Sequence, residues 1–360
     1  MHYLFLLSGD YIGLAKEEVL SLFDVKDCKI IDRLLIVDID KKSLNKLSKR
    51  LALTKEIHQF LFECKIKDLI KTIKKYDWNS IYKNNFCLRV SNLYEYNEKN
   101  HNNKKNLKNK KFSEKNLAGY IWDSLKKPKV DLENPRTNIG LFFIKEEVYC
   151  GLLLKENKED FESRKAHLRP FSHPGSLHPK VARALINISG IKDETLVDPF
   201  CGTGGFMIEA GLMGIKTTGI DISKFMIKGC KENLKHFKTK NAKVINKNAL
   251  SISGKPDYVI TDLPYGLNSN VYLKYNKKSL QNNSNKLNLK MQKKNFTENL
   301  GQFYLKFLKK LRKILKYNAV IIFPSYVDHK KLLKASGFKI EKEFSIYVHR
   351  SLTRKIVRIS

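Results

Sequence analysis

Apolar positions recur along this chain in two rhythms, and the rhythm changes near residue 180. Before that point short apolar runs alternate with amphipathic stretches. Strands are predicted over 3–7, 28–31 and 34–39. Leu14, Val19, Leu20, Leu22 and Phe23 fall on one helical face, and Ser43 could cap a helix running to Leu51. Such alternation in a short unit suggests a small ferredoxin-like α/β domain over 1–52. A second α/β unit is expected over 53–157. Its strands are 57–64 and 86–90, its helices 66–76 and 117–125, and its hairpin runs 139–144 and 148–154 about Glu146 and Glu147. The stretch 94–111 is rich in Asn and Lys, lacks an apolar period and reads as a surface excursion.

Residues 158–179 are charged, are punctuated by Pro170, Pro174 and Pro179, and read as a linker. From 180 to 360 helices and strands alternate regularly. Helices are predicted over 181–188, 205–212, 224–237, 301–315 and 329–335. Strands are predicted over 195–197, 217–220, 242–245, 258–261, 319–323, 338–347 and 356–359. This pattern implies a doubly wound, mainly parallel sheet. An Asn/Lys/Ser-rich insertion over 267–295 interrupts it.

With 360 residues, two or three domains are expected. No apolar run approaches the roughly 20 residues of a membrane helix. The apolar start is ended by Ser8, Gly9 and Asp10 and suits a strand better than a signal peptide, so a cytoplasmic protein is expected. The six cysteines form no C-x-x-C pair, and neither zinc nor iron–sulfur ligation is expected. A net charge of +33 adds a partner class: the field attracts polyanions, nucleic acid first. Charge alone speaks of phosphate and not of base or reaction.

Two loops in the last third carry chemistry. Asp198-Pro199-Phe200-Cys201-Gly202-Thr203-Gly204-Gly205 follows a strand and opens a helix, so glycines and free helix N–H groups can approach a ligand. It has neither the spacing of a dinucleotide loop nor the Gly-Lys-Ser/Thr of a P-loop. About twenty residues on, Asp221 ends the next strand, followed by Ile222, where a carboxylate can accept from both hydroxyls of a ribose. The third strand is followed by Asn246-Lys247-Asn248-Ala249, where Asn248 can accept from an adenine amine.

The second loop is Asp262-Leu263-Pro264-Tyr265-Gly266, at the end of a fourth strand. An exocyclic amine on a base is a poor nucleophile because its lone pair is delocalised into the ring. The Asp262 carboxylate and the Leu263 carbonyl can each accept one N–H and turn the lone pair toward a sulfonium methyl. Pro264 shapes the turn, and Tyr265 can stack on an extruded base. Cys201 lies in the other loop, which places it poorly for attack on a pyrimidine. His173 and His178 read as structural.

These residues bring out a family likeness. Over nearly its whole length the chain resembles the archaeal THUMP-domain tRNA guanine-10 N2-methyltransferases. The likeness rests on both loops, on the bridge from Arg169-Pro170-Phe171 to His178-Pro179-Lys180, and on the segment from His349 to Arg354. It implies ferredoxin-like and THUMP domains ahead of a Rossmann-like class I methyltransferase domain. S-adenosylmethionine contacts would fall on Asp198, Phe200, Gly202, Thr203, Gly204, Asp221, Ile222, Asn248 and Ala249, and catalysis on Asp262 to Tyr265. The family loop usually reads Asp-Pro-Pro-Tyr, and Leu263 departs from it. Arg164, Arg169, Lys180, Arg350 and Arg354 flank the predicted cleft and are candidates for RNA phosphate contacts. The resemblance implies a tRNA-binding enzyme, and a metal-free monomer is expected. Methylation of guanosine 6 instead of 10, amide methylation of a protein glutamine and a non-catalytic tRNA-binding protein remain alternatives.

Overall fold

In the computed structural model, residues 1–93, 112–173, 175–266 and 286–360 are described, 286–296 by backbone alone. The predicted excursion at 94–111 and most of the 267–295 insertion lie outside the described residues. The chain forms two compact units. One comprises residues 1–16 and 25–158, the other 17–24 and 159–360.

The first unit is built on one seven-stranded sheet, ordered β2-β3-β1-β4-β7-β6-β5. Its strands are β1 (His2–Leu7), β2 (Cys28–Ile31), β3 (Leu34–Asp38), β4 (Thr54–Lys65), β5 (Phe86–Asn92), β6 (Thr137–Ile144) and β7 (Glu147–Glu156). β4 pairs with β1 on one side and β7 on the other. The boundary expected after residue 52 is therefore not a break in the sheet. Helix α1 (Ile12–Phe23) follows β1. Helix α2 (Lys41–Leu47) is capped by Asp40, whose carboxylate accepts from Ser43 N, and not by Ser43 as expected. It ends four residues before Leu51 because a 3-10 turn takes over at Ser48. Helices α3 (Leu69–Lys75) and α4 (Glu114–Trp122) bury Leu69, Ile73, Leu117 and Ile121 with Trp78 and Phe86.

The second unit holds the other sheet, ordered β10-β9-β8-β11-β12-β14-β13. Its strands are β8 (Thr195–Asp198), β9 (Lys216–Asp221), β10 (Ala242–Asn246), β11 (Tyr258–Asp262), β12 (Asn318–Pro324), β13 (Ile340–His349) and β14 (Leu352–Ile359). The first five run parallel, and β14 joins β12 antiparallel with β13 outside it. Between them run α5 (Pro179–Ile188), α6 (Gly205–Leu212), α7 (Lys224–His236), α8 (Lys286–Ile314) and α9 (His329–Ala335). α8 begins well before the predicted residue 301. In the part of α8 whose side chains are described, Leu300, Tyr304, Phe307, Leu308 and Leu311 pack into the core with Phe323 and Val357. The strand order reverses between β8 and β11, so a crevice opens at their carboxyl ends, where sheets of this kind place ligands.

Candidate active site

Three carboxylates stand at the carboxyl ends of neighbouring strands: Asp198 on β8, Asp221 on β9 and Asp262 on β11. Asp198 is nearly fully buried. Its Oδ1 accepts from the Thr261 hydroxyl at 2.8 Å and from Phe200 N at 3.2 Å. Burial outweighs those bonds and pushes its carboxyl up to about 7. Thr261 thus ties β11 to β8, a positioning role that sequence reading missed because a buried Thr in a strand carries no signal of its own.

The loop after β8 turns through Gly202 (φ +50) and Gly204 (φ +89). A side chain at Gly204 would also lie 2.8 Å from Cys230 Sγ. Gly202, by contrast, faces open space where a Cβ would stand. Its N–H donates to Asp221 Oδ2 at 3.1 Å, while Ser223 N donates to Oδ1 at 2.8 Å. Each Asp221 oxygen keeps a lone pair for a further donor. Burial raises its carboxyl as well. Ile222, beside it, is 47% exposed, an apolar surface available to a flat ring. Asn246, which sequence reading left without a role, holds this strand end through bonds from Nδ2 to the carbonyls of Asp221 and Ile222.

Asn248 is exposed, and its amide oxygen caps Leu250 N at 2.9 Å, leaving one lone pair for an outside donor. Ala249 is buried against the core, so only its backbone could meet a ligand. Phe200 packs edge-on to Phe303 and Phe307 instead of pointing outward. Thr203 is buried, and its carbonyl accepts from Asn233 Nδ2. Cys201 is buried, and its neighbour Cys230 and that burial hold its thiol far above the usual range. No thiolate is available there for attack. An open glycine turn, an unsaturated Asp221 and an exposed Ile222 suit a ligand with a ribose and a flat base.

The loop after β11 is tightly held. Leu263 N donates to Ile322 O, Tyr304 to Pro264 O at 2.7 Å, and Tyr326 to Tyr265 O at 2.6 Å. Leu263 itself is buried. The Tyr265 hydroxyl donates to Asp262 Oδ1 at 2.5 Å and accepts from Arg354 Nε at 2.8 Å. Burial raises the Asp262 carboxyl to about 6, against the lowering influence of Arg354 and Tyr265. The expected stacking partner thus lies folded over the carboxylate. Tyr304 and Tyr326 are far away in sequence, and no local pattern marked them.

Three of the five candidate phosphate contacts are buried in the fold. Arg164, Arg169 and Arg354 are only 7%, 5% and 7% exposed. Arg164 is committed to fully buried Glu209, with Nε to Oε1 at 2.8 Å, and to Glu159. Arg183 grips the other Glu209 oxygen at 2.9 Å. Arg354 is spent on Tyr265 and on Gly175 O. These guanidiniums build the site from inside, because pairing a buried charge outweighs leaving it in solvent only when the partners are this close. Lys180 is half-buried on α5, and Arg350 is exposed in the turn between β13 and β14. His178 caps α5 by accepting from Lys180 N. Among the described residues no group of three or more His, Cys, Asp or Glu could hold a metal, and no helix is long and apolar enough to cross a membrane.

A family model described as "RMKL-like, methyltransferase domain" matches residues 166–274, which include both loops. The tRNA (guanine(10)-N2)-dimethyltransferase of Methanothermobacter thermautotrophicus is 31% identical over 330 residues, covering 89% of this chain and 86% of the relative. The protein of the same name from Pyrococcus abyssi is 30% identical over 352 residues, covering 95% and 94%. A possible methylase from Clostridium difficile 630, of known crystal structure, matches 99% of this chain and 98% of its own, with a TM-score of 0.50 at 16% identity. That last likeness concerns the fold alone.

Proposed function

From the premise that the chain belongs to the tRNA (guanine(10)-N2)-dimethyltransferase family, we propose that it transfers methyl groups from S-adenosylmethionine to the exocyclic amine of guanosine 10 in tRNA. The observation that carries this reading is the placement of Asp198, Asp221 and Asp262 at adjacent strand ends about the point where the strand order reverses. Guanosine 10 is preferred over guanosine 6 because relatives named for position 10 span nearly the whole chain.

Bound S-adenosylmethionine supplies an electrophilic methyl on a positively charged sulfur. Asp221 takes the ribose hydroxyls on its two remaining lone pairs, Ile222 lies against the adenine, and Asn248 accepts from the adenine amine. Asp198 sets the loop in place through Phe200 N. Asp262 accepts one N–H of the guanine amine and the Leu263 carbonyl the other, so the lone pair is turned out of the ring plane. To do so the Tyr265 hydroxyl must yield Oδ1, which frees its ring to stack on the base. The same carboxylate is placed to take the proton that the nitrogen sheds. Catalysis of this kind is mostly orientation and exclusion of water.

Residues 53–157 are assigned to a THUMP domain that binds tRNA. The protein is assigned to the cytoplasm as a monomer without a metal. Nucleoside mass spectrometry with fragment mapping tests the reading. Unmodified tRNA transcript incubated with the protein and S-adenosylmethionine should gain N2-methyl and then N2,N2-dimethylguanosine at position 10. Methylation of another guanosine would move the target, and a protein that binds the cofactor yet methylates no tRNA would overturn the substrate.

A further inference from the structure

Arg169 is the one residue of the buried arginine cluster left without a counter-ion bond. Its Nε donates to Arg164 O at 2.9 Å, while Nη1 and Nη2 are buried and have no hydrogen-bond partner. Glu209 is already occupied by Arg164 and Arg183. The cluster therefore sets three guanidiniums, of Arg164, Arg169 and Arg183, against two carboxylates, of Glu209 and Glu159. Burial pulls the Arg169 group below its ordinary range, with Glu209 and Arg164 acting in opposite directions. A guanidinium kept in protein with two unused donor nitrogens is unfavourable unless an anion completes it.

The place those donors occupy is specific. A Cβ on Gly205 would stand 3.6 Å from Arg169 Nη1. Gly205 is the first residue of α6, and the N-cap Gly204 supplies no side-chain cap to the helix amides. Uncapped amides and the positive end of the helix favour an anion at the same spot. The segment bearing Arg169 is also pinned to the loop. Buried Asn233 on α7 accepts from Phe171 N and donates to the carbonyls of Phe171 and Thr203, each at 3.0 Å. Phe171 lies so close over α7 that a Cβ on Gly229 would come within 2.1 Å of its ring. The guanidinium is therefore held at the glycine loop by side chains from another helix.

We propose that Arg169, with the first amides of α6, binds a carboxylate, namely that of the amino-acid end of the methyl donor. This rests on the reading of the glycine loop as the S-adenosylmethionine site. A carboxylate offers two coplanar oxygens to a guanidinium edge, a fit that a single ammonium could not reproduce. An RNA phosphate is the poorer candidate, because both free nitrogens lie below the surface.

Isothermal titration of the full chain tests it with two probes, S-adenosylhomocysteine and 5′-methylthioadenosine, which lacks the amino-acid end. Arg169→Met should weaken S-adenosylhomocysteine about ten- to a hundredfold and leave methylthioadenosine within about threefold. Arg169→Lys, which keeps the charge without the fork, should lose S-adenosylhomocysteine affinity to a smaller extent, again with methylthioadenosine unchanged. Equal weakening of both probes by both variants would mean a structural role only. No change in either probe, or a loss confined to tRNA affinity, would overturn the assignment while leaving the cofactor reading intact. A wild-type chain that binds neither probe would overturn both.

Discussion

At the residue scale the proposed methyl transfer turns on Asp262, whose ionised form would accept the amine. Its carboxyl is raised to about 6 by burial, held from rising further first by Arg354 and then by the Tyr265 hydroxyl. A carboxylate with a raised value is lost to protonation as pH falls through that value. Single-turnover methyl transfer should therefore be level above about pH 6 and fall toward tenfold per pH unit below it. Tyr265→Phe keeps an aromatic face but removes one bond to the carboxylate, so the acid limb should move to higher pH. Methyl transfer should persist at pH 8, because Phe can still stack and Oδ1 no longer has to be vacated. A limb that stays put or moves down in the variant would show that the tyrosine does not govern the carboxylate. The acidic residues at strand ends were readable in the sequence because their spacing follows the β-α-β rhythm. The hold of Arg354 on Tyr265 joins residues 89 positions apart, and nothing local announces it.

At the element scale two features decide whether the loop after β8 keeps its shape. Gly204 needs a positive φ and has Cys230 Sγ where a side chain would go. Gly204→Ala should cost about 1–2 kcal/mol from the backbone alone, with the clash added. Calorimetry should show S-adenosylhomocysteine affinity down tenfold or more; unchanged affinity would mean that the turn does not shape the site. Glu209 on α6 holds Arg164 and Arg183 from below. Glu209→Ala leaves both guanidiniums buried with half-exposed Glu159 as their remaining carboxylate, and should cost about 3–5 kcal/mol in urea unfolding. A loss below about 1 kcal/mol would show that the cluster relaxes into solvent. The parallel strands and their helices were legible because buried runs of Val, Ile and Leu alternate with amphipathic stretches. The arginine cluster was not. An Arg in a charged linker looks like surface, and its burial depends on a glutamate 45 residues away. The start of α8 was hidden for the converse reason, since its first turns carry no apolar stripe to read.

At the scale of the whole molecule the net charge of +33 sets the terms on which a polyanion is met, and the burial of three arginines bears on which residues would meet it. Arg164, Arg169 and Arg354 are buried; Arg164 and Arg354 are already paired within the fold, and the free nitrogens of Arg169 lie below the surface. Exposed Arg350 is left free to form a phosphate contact, with Lys180 half-covered. A phosphate contact releases condensed counterions, and each one lost lowers the slope of log affinity against log salt by about 0.7 to 0.9. Arg350→Ala should therefore weaken tRNA binding uniformly across tRNA sequences and flatten the salt dependence by about one unit or less, with S-adenosylhomocysteine affinity untouched. Arg354→Ala should behave in the opposite way: the salt slope stays, while methyl transfer falls because Tyr265 and Asp262 lose their neighbour. Filter binding from 50 to 400 mM potassium chloride, run on both variants beside the wild type, separates the two roles. A flattened slope in Arg354→Ala, or an unchanged one in Arg350→Ala, would mean that burial is the wrong guide to which cations touch RNA.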